Sequence, residues 1–178
     1  MAKIVAQCFM SVDGVVESPE QWHFPYYDTA MESAVAAQLH QADTLLLGRA
    51  TYEVFAGHWP HQGNDVLFAK RLNSLPKLVV STTLNTVEWQ NSTLIRDIGQ
   101  LATVASASDG HITVSGSATL VRSLLDHDLL DELELLVHPL VVGHGARLFD
   151  NGGKHRPLNL IRSTTFDTGV LHLVYEPV

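Results

Sequence analysis

The sequence predicts an α/β fold: a central, mainly parallel twisted sheet with helices on both faces and an antiparallel hairpin at its C-terminal side. Three observations predict it. Short apolar runs alternate with helix-length amphipathic segments, the pattern of βαβ units. Several of those runs end abruptly in Gly or small hydroxyl residues, as strands do where they turn into a helix. The last third instead carries two strand-like runs around Asp167-Thr168-Gly169, which reads as a hairpin. The 178 residues suit one domain spanning 1–178, with no internal repeat and no dividing linker.

Lys3 to Met10 reads as the first strand, stopped by Ser11-Val12-Asp13-Gly14, where Asp-Gly favours a turn. In Tyr27–Ala42, the residues Ala30, Met31, Ala34, Val35, Ala37 and Leu39 recur as the apolar side of a helix, with Glu32, Gln38 and His40 toward water. Thr44–Leu47 is a short buried strand and Arg49–Ala56 the helix behind it. Asn64–Ser74 is a further helix with Val66, Leu67, Ala69 and Leu72 facing the core. Lys77–Ser81 is again an apolar strand, Leu94-Ile95 a weaker one, and Gln100–Ala107 a helix. Ile112–Ser115 is a strand, and Ala118–Asp126 follows as a helix carrying Leu120, Val121, Leu124 and Leu125. Glu132–His138 is the next strand, and Leu158–Phe166 pairs with Val170–Tyr175.

Composition narrows the function. A net charge of −8 with only 11 Lys and Arg excludes a general nucleic-acid binder, so any phosphate site must be local. The lone cysteine, Cys8, lies in an apolar strand and reads as core packing in a reducing compartment. No stretch approaches the roughly 20 apolar residues of a membrane span, so a soluble, cytoplasmic protein without membrane partners is expected.

Three strand ends carry ligand chemistry: Gly48-Arg49, Ser81-Thr82 and Gly116-Ser117-Ala118-Thr119. In open α/β sheets ligands sit outside the carboxyl ends of strands, where helix-start N–H groups are open to anions. Arg49 supplies a planar donor fork, Thr51 and Ser81 supply hydroxyls, and Gly116 lets backbone approach a pyrophosphate. Arg49 with Ser81-Thr82 matches a ribose 2′-phosphate. Neither turn is a G-x-G-x-x-G or a P-loop.

Across nearly the whole chain, the sequence resembles the dihydrofolate reductase-like family, specifically the group related to the reductase domain of bifunctional riboflavin-biosynthesis deaminase-reductases. The resemblance rests on Ser11–Gly14, Leu47–Tyr52, Val79–Thr83, Val114–Leu120 and Pro139–Phe149. It implies a three-layer fold and an NADPH-dependent reductase. Gly48, Arg49 and Thr51 would hold cofactor phosphates, and Ser81 and Thr82 would meet the adenosine ribose phosphate. Gly116, Ser117, Ala118, Thr119 and Leu120 would cradle the pyrophosphate, with the nicotinamide under the Ser11–Val16 loop. It also implies a homodimer with the C-terminal strands near the interface. The His-x-Glu and Pro-Cys-x-x-Cys pattern of a zinc deaminase is missing, so a stand-alone reductase is expected.

For the proton donor, Asp28 and Asp13 compete. Trp22-His23-Phe24-Pro25-Tyr26-Tyr27-Asp28 resembles the Trp-x-x-Pro-x-Asp helix entry of folate reductases with one residue more, which turns the acid by about 100°. Asp28 therefore either donates a proton or simply favours the positive helix end. Asp13 either borders the substrate or serves its own Asp-Gly turn. Trp22, Phe24, Tyr52 and Phe55 form either an aromatic substrate wall or ordinary core. Of ten histidines, His58/His61 and the His138/His144 pair invite a metal, but Pro60 breaks the first spacing and no Cys or Glu completes a set, so none is expected. Asp126-His127-Asp128 and Asp131-Glu132 are read as helix caps facing water. The expected activity is hydride transfer to a small heterocyclic or carbonyl-containing metabolite. The alternative is a non-catalytic NADP-binding module used for sensing or dimer stabilisation.

Overall fold

The computed structural model of the protein describes residues 1–107, 109–150 and 153–178. Among the described residues eight strands form one sheet: β1 Lys3–Ser11, β2 Thr44–Gly48, β3 Lys77–Val80, β4 Ser92–Ile95, β5 His111–Val114, β6 Glu132–His138, β7 Leu158–Thr165 and β8 Leu171–Pro177. Their order is β4-β3-β2-β5-β1-β6-β8-β7. All pairings from β4 to β6 are parallel, and β8 and β7 add antiparallel. The helices are α1 Thr29–Gln41, α2 Arg49–His58, α3 Ala69–Ser74, α4 Gln100–Ser106 and α5 Ala118–Asp126.

Alternation along the strands splits the core between the two faces. On one face Ile4, Ala6 and Cys8 of β1 and Leu133 and Leu135 of β6 pack against Leu101, Leu120, Val121 and Leu124 of α4 and α5. On the other, Leu45 and Leu47 of β2 meet Leu39, Tyr52 and Leu72 of α1, α2 and α3, and Leu136 meets Met31. Cys8 is buried on the first of these faces, and burial pushes its thiol pKa up to about 12, which leaves it a core side chain.

Four expectations need correction. The helix expected over Asn64–Ser74 begins only at Ala69, because Phe68 takes a left-handed backbone (φ 68°), and Val66 and Leu67 are exposed. Within α1, Ala30 and Ala37 face outward while Gln38 is half-buried. At 100° per residue the first two lie on the side away from Met31, Val35 and Leu39, whereas Gln38 falls about 20° from Met31, at the edge of that stripe. Asp131 and Glu132 do not cap a helix: Asp131 accepts from the Ile4 N–H (2.7 Å) and Glu132 pairs with Lys3, fastening the start of β1. Lys77, read as part of an apolar strand, is a fully buried ammonium.

Candidate functional site

Because β3, β2, β5 and β1 are adjacent and parallel, their carboxyl ends share one rim, with neighbouring strands about 4.8 Å apart. Gly48, Ser81 and Gly116 therefore end up side by side. The turn after β2 and the turn after β5 are joined directly: the Gly48 N–H donates to the Gly116 carbonyl (2.9 Å). The contact is so close that a Cβ on Gly48 would stand 2.6 Å from Ser117 Oγ and 3.1 Å from the Ser117 nitrogen. Gly116 has φ +114°, and its own Cβ would lie 3.0 Å from Thr51 Oγ1. Both positions require glycine, the first for space and the second for conformation as well.

Two helices begin at this junction. The N-cap of α2 is Gly48 and that of α5 is Ser117, and neither receives a side-chain capping bond. First-turn N–H groups and positive dipole ends from both helices thus meet at one place, a strong setting for an anion with two phosphates. Arg49, the first residue of α2, is about half exposed and holds Glu53 only at 3.8 Å, so its guanidinium remains available. Thr82 and Thr119 are exposed on the same rim.

Ser81 differs from expectation. Its hydroxyl accepts from the N–H groups of Thr83 (3.2 Å) and Leu84 (3.0 Å), so it closes its own turn. The sequence reading missed Arg96, just past β4, whose guanidinium donates to the Ser81 carbonyl at 3.3 Å. Its signal was the one used for the other strand ends: a polar residue directly after an apolar run.

Beyond β1, the Val12–Glu17 loop is laced to the segment after β6. The Val12 N–H donates to Leu140 O, Val16 N–H to Ala146 O and Leu148 N–H to Gly14 O. Asp13 is the clasp: its carboxylate accepts from the N–H groups of Val142 (3.0 Å) and Gly143 (2.8 Å) and from the Ser11 hydroxyl (2.6 Å). These bonds, Ser11's first, hold its pKa down at about 2. Such a carboxylate carries no proton to donate at neutral pH, so Asp13 is a loop anchor rather than an acid.

The sign of the linkage is set by that depression. The carboxylate's contribution is complete above the ordinary Asp value of 3.8 and is lost as pH falls through about 2. The melting temperatures of wild type and Asp13→Asn should therefore differ by a constant amount above pH 4 and converge between pH 4 and 2. A gap that persists unchanged to pH 2 would show that the clasp does not depend on ionisation.

Asp28 is the N-cap of α1, accepting from the Met31 N–H at 2.8 Å, which is its structural role. Tyr52 and Phe55 are also relocated. Their three-residue spacing puts both on the inner face of α2, in the core cluster with Trp89, and the Tyr52 hydroxyl accepts from the N–H groups of Glu88 and Trp89. They pack as core rather than as a substrate wall. Trp22 and Phe24 do stand at the rim, with a second pair that the sequence reading did not assemble. His23 and His138 are both buried, with ring centroids 6.2 Å apart, among Phe9, Trp22 and Tyr26. His144, by contrast, is exposed, and among the described residues no group of three or more His, Cys, Asp or Glu is placed to hold a metal. No helix among them is long and apolar enough to cross a membrane.

The family profile of the RibD C-terminal domain matches residues 2–172. The chain belongs to this family. Among relatives of this RibD C-terminal domain protein, the Bacillus subtilis protein YyaP, uncharacterized, is 28% identical over 145 residues, covering 78% of this chain and 76% of its own. YwjB of the same organism, also uncharacterized, is 24% identical over 181 residues and covers 97% of each. Among solved structures, a putative riboflavin biosynthesis protein from Shewanella sp. PV-4 matches with TM-score 0.80 and 19% identity over 100% of this chain and 99% of its own. A dihydrofolate reductase from Enterococcus faecalis complexed with NADP(H) and RAB-propyl matches with TM-score 0.66 and 14% identity over 98% and 96%. These likenesses establish the three-layer dihydrofolate reductase-like fold that the sequence predicts.

Proposed function

We propose that the protein is an NADPH-dependent reductase acting on a small heterocyclic or carbonyl-containing metabolite. The observation that carries the reading is the junction at Gly48 and Gly116, where two uncapped helix starts meet beside Arg49. The residues present fit the cofactor. The first turns of α2 and α5 would take the pyrophosphate, and Arg49, Thr82 and Arg96 the adenosine ribose phosphate. When bound, the cofactor supplies a hydride from its reduced nicotinamide. The clasped loop at Asp13 would keep water from that end of the site, and Trp22 and Phe24 would flank the substrate. Membership of the RibD C-terminal domain family and the fold shared with a dihydrofolate reductase support the reading.

Arg49→Ala tests it. A charge-assisted contact to a 2′-phosphate contributes about 1.5–3 kcal/mol, so NADPH affinity should fall roughly 10- to 150-fold while NADH affinity barely moves. Fluorescence titration of both nucleotides measures this, and unchanged NADPH affinity removes Arg49 from the site. One observation favours the second reading, a binding module without turnover: both candidate acids are engaged by backbone N–H groups. That reading predicts NADPH binding with no oxidation across a panel of pterins, pyrimidines and quinones.

A further inference from the structure

His138 ends β6 on the same rim as Gly116, separated from it only by β1. Its Nδ1 lies 2.8 Å from the Leu136 carbonyl, which can only accept, so Nδ1 bears the ring hydrogen and Nε2 of the neutral imidazole bears a lone pair. Burial lowers the pKa of both His138 and His23, outweighing at His138 the opposing hydrogen bonding to the Leu136 and Met10 carbonyls and joined at His23 by the proximity of His138, which favours neutral rings. Among the described residues Nε2 of His138, with none of its residue exposed, has no hydrogen-bond partner, nor has Nδ1 of His23. Among the described residues no surrounding ring donates to them: the Trp22 indole N–H is already given to the Glu17 carbonyl, the Tyr27 hydroxyl to Glu32, Phe9 has no donor, and the Tyr26 hydroxyl does not bond to either ring. An acceptor buried without a donor is costly unless something supplies one.

The cover over His138 is held by side-chain packing, with Tyr26 and Tyr27 against the Met31, Leu136, Phe166 and Val170 cluster, and its backbone bonds are local. It consists of two short 3-10 turns, Pro19–Gln21 and Phe24–Tyr26, whose backbone bonds run to residues at most four positions away. It rests on His138 through ring contacts of Trp22 (5.1 Å) and Tyr26 (5.8 Å), and its outermost ring, Phe24, is 62% exposed while tilted against His23 at 4.1 Å.

We propose that His138 is a specificity-determining residue whose Nε2 accepts a hydrogen bond from a ring N–H or exocyclic amine of a planar nitrogen heterocycle, admitted when the Trp22–Tyr27 cover lifts. The inference rests on the reductase reading, which makes this end of the rim the substrate side. It deepens that reading by assigning recognition to an imidazole rather than to Asp13 or Asp28. A ligand without an N–H leaves the acceptor unpaired and is rejected.

The test uses two pyrimidines, isocytosine and its N–H-free analogue 2-dimethylamino-4-methoxypyrimidine, titrated into the full chain with the imidazole ¹⁵N resonances followed by NMR. Isocytosine should shift the His138 Nε2 resonance saturably and bind at least about tenfold more tightly than the analogue. In His138→Phe, which keeps a ring of similar reach, that preference should vanish. A merely structural histidine predicts the opposite: unchanged isocytosine binding and an equal or higher melting temperature, since an unpaired polar atom has been removed. Equal affinity for the two pyrimidines, no saturable binding of isocytosine, or an unaffected His138→Phe variant overturns the proposal. NADPH titration of the same samples separates the two claims. Failure to bind NADPH overturns the reductase reading, whereas normal NADPH binding with an indifferent His138 overturns only this one.

Discussion

Gly48→Ala should lower NADPH affinity by about 30-fold or more while leaving the protein folded, although only one methyl group is added. The added carbon would fall 2.6 Å from Ser117 Oγ and 3.1 Å from the Ser117 backbone nitrogen. The backbone nitrogen cannot swing aside as a side chain can, so the turn after β5 has to move away from the turn after β2. That motion breaks the Gly48 N–H to Gly116 carbonyl bond and separates the two helix starts. A ligand spanning both loses at least one charge-assisted contact worth about 1.5–3 kcal/mol, with misalignment of the others added. The steric cause is itself testable through a second site. Ser117→Gly removes the Oγ and the Cβ, leaving only the 3.1 Å approach to nitrogen, so the double variant should recover part of the lost affinity. If Gly48→Ala binds NADPH as wild type does, or if Ser117→Gly gives no recovery, the junction is not the phosphate site.

What the sequence revealed and what it hid divide along a physical line. Features set by neighbours in the chain were legible. The spacing of Leu120, Val121, Leu124 and Leu125 and the apolar run of β6 predict α5 and β6 at their observed bounds. The ends of β2, β3 and β5 were legible to within one residue, since a small residue after an apolar run marks the end of a strand. Parallel neighbours then bring those ends together without further instruction. Features set by partners far along the chain were hidden. Asp13 looks like a free acid until Val142 and Gly143, some 130 positions away, donate to it. His23 and His138 gain meaning only once β1 and β6 pair in register, Ser11 against His138. The left-handed Phe68 that shortens α3 has no composition signal at all, because large aromatics seldom adopt that conformation.

Lys77 shows the same principle in the core, and its loss should have the largest effect on stability. The residue is 1% exposed, and its ammonium donates to the carbonyls of Asn73 (3.2 Å), Leu75 (2.8 Å) and Gln90 (3.1 Å) while lying 4.1 Å from the centre of the Trp89 ring. Asn73 and Leu75 are at the C-terminal end of α3, the negative end of its dipole, so one cation serves the helix end and the entry to β4 together. Lys77→Met keeps the stem and removes the three donors. The carbonyls left behind are each worth about 1–3 kcal/mol when unpaired, and a total loss of about 3–5 kcal/mol is expected from urea unfolding at pH 7. The pH dependence gives an independent check. Burial lowers the Lys77 pKa from 10.5 to about 8, so between those values the unfolded chain binds more protons than the folded one. Wild-type stability should therefore rise relative to Lys77→Met as pH climbs from 8 to 10.5, because a cost of holding the charge inside is being released. A loss below about 1 kcal/mol at pH 7 would mean that water reaches those carbonyls and that the corner between α3 and β4 is held by the Trp89 indole N–H to Asn73 bond instead.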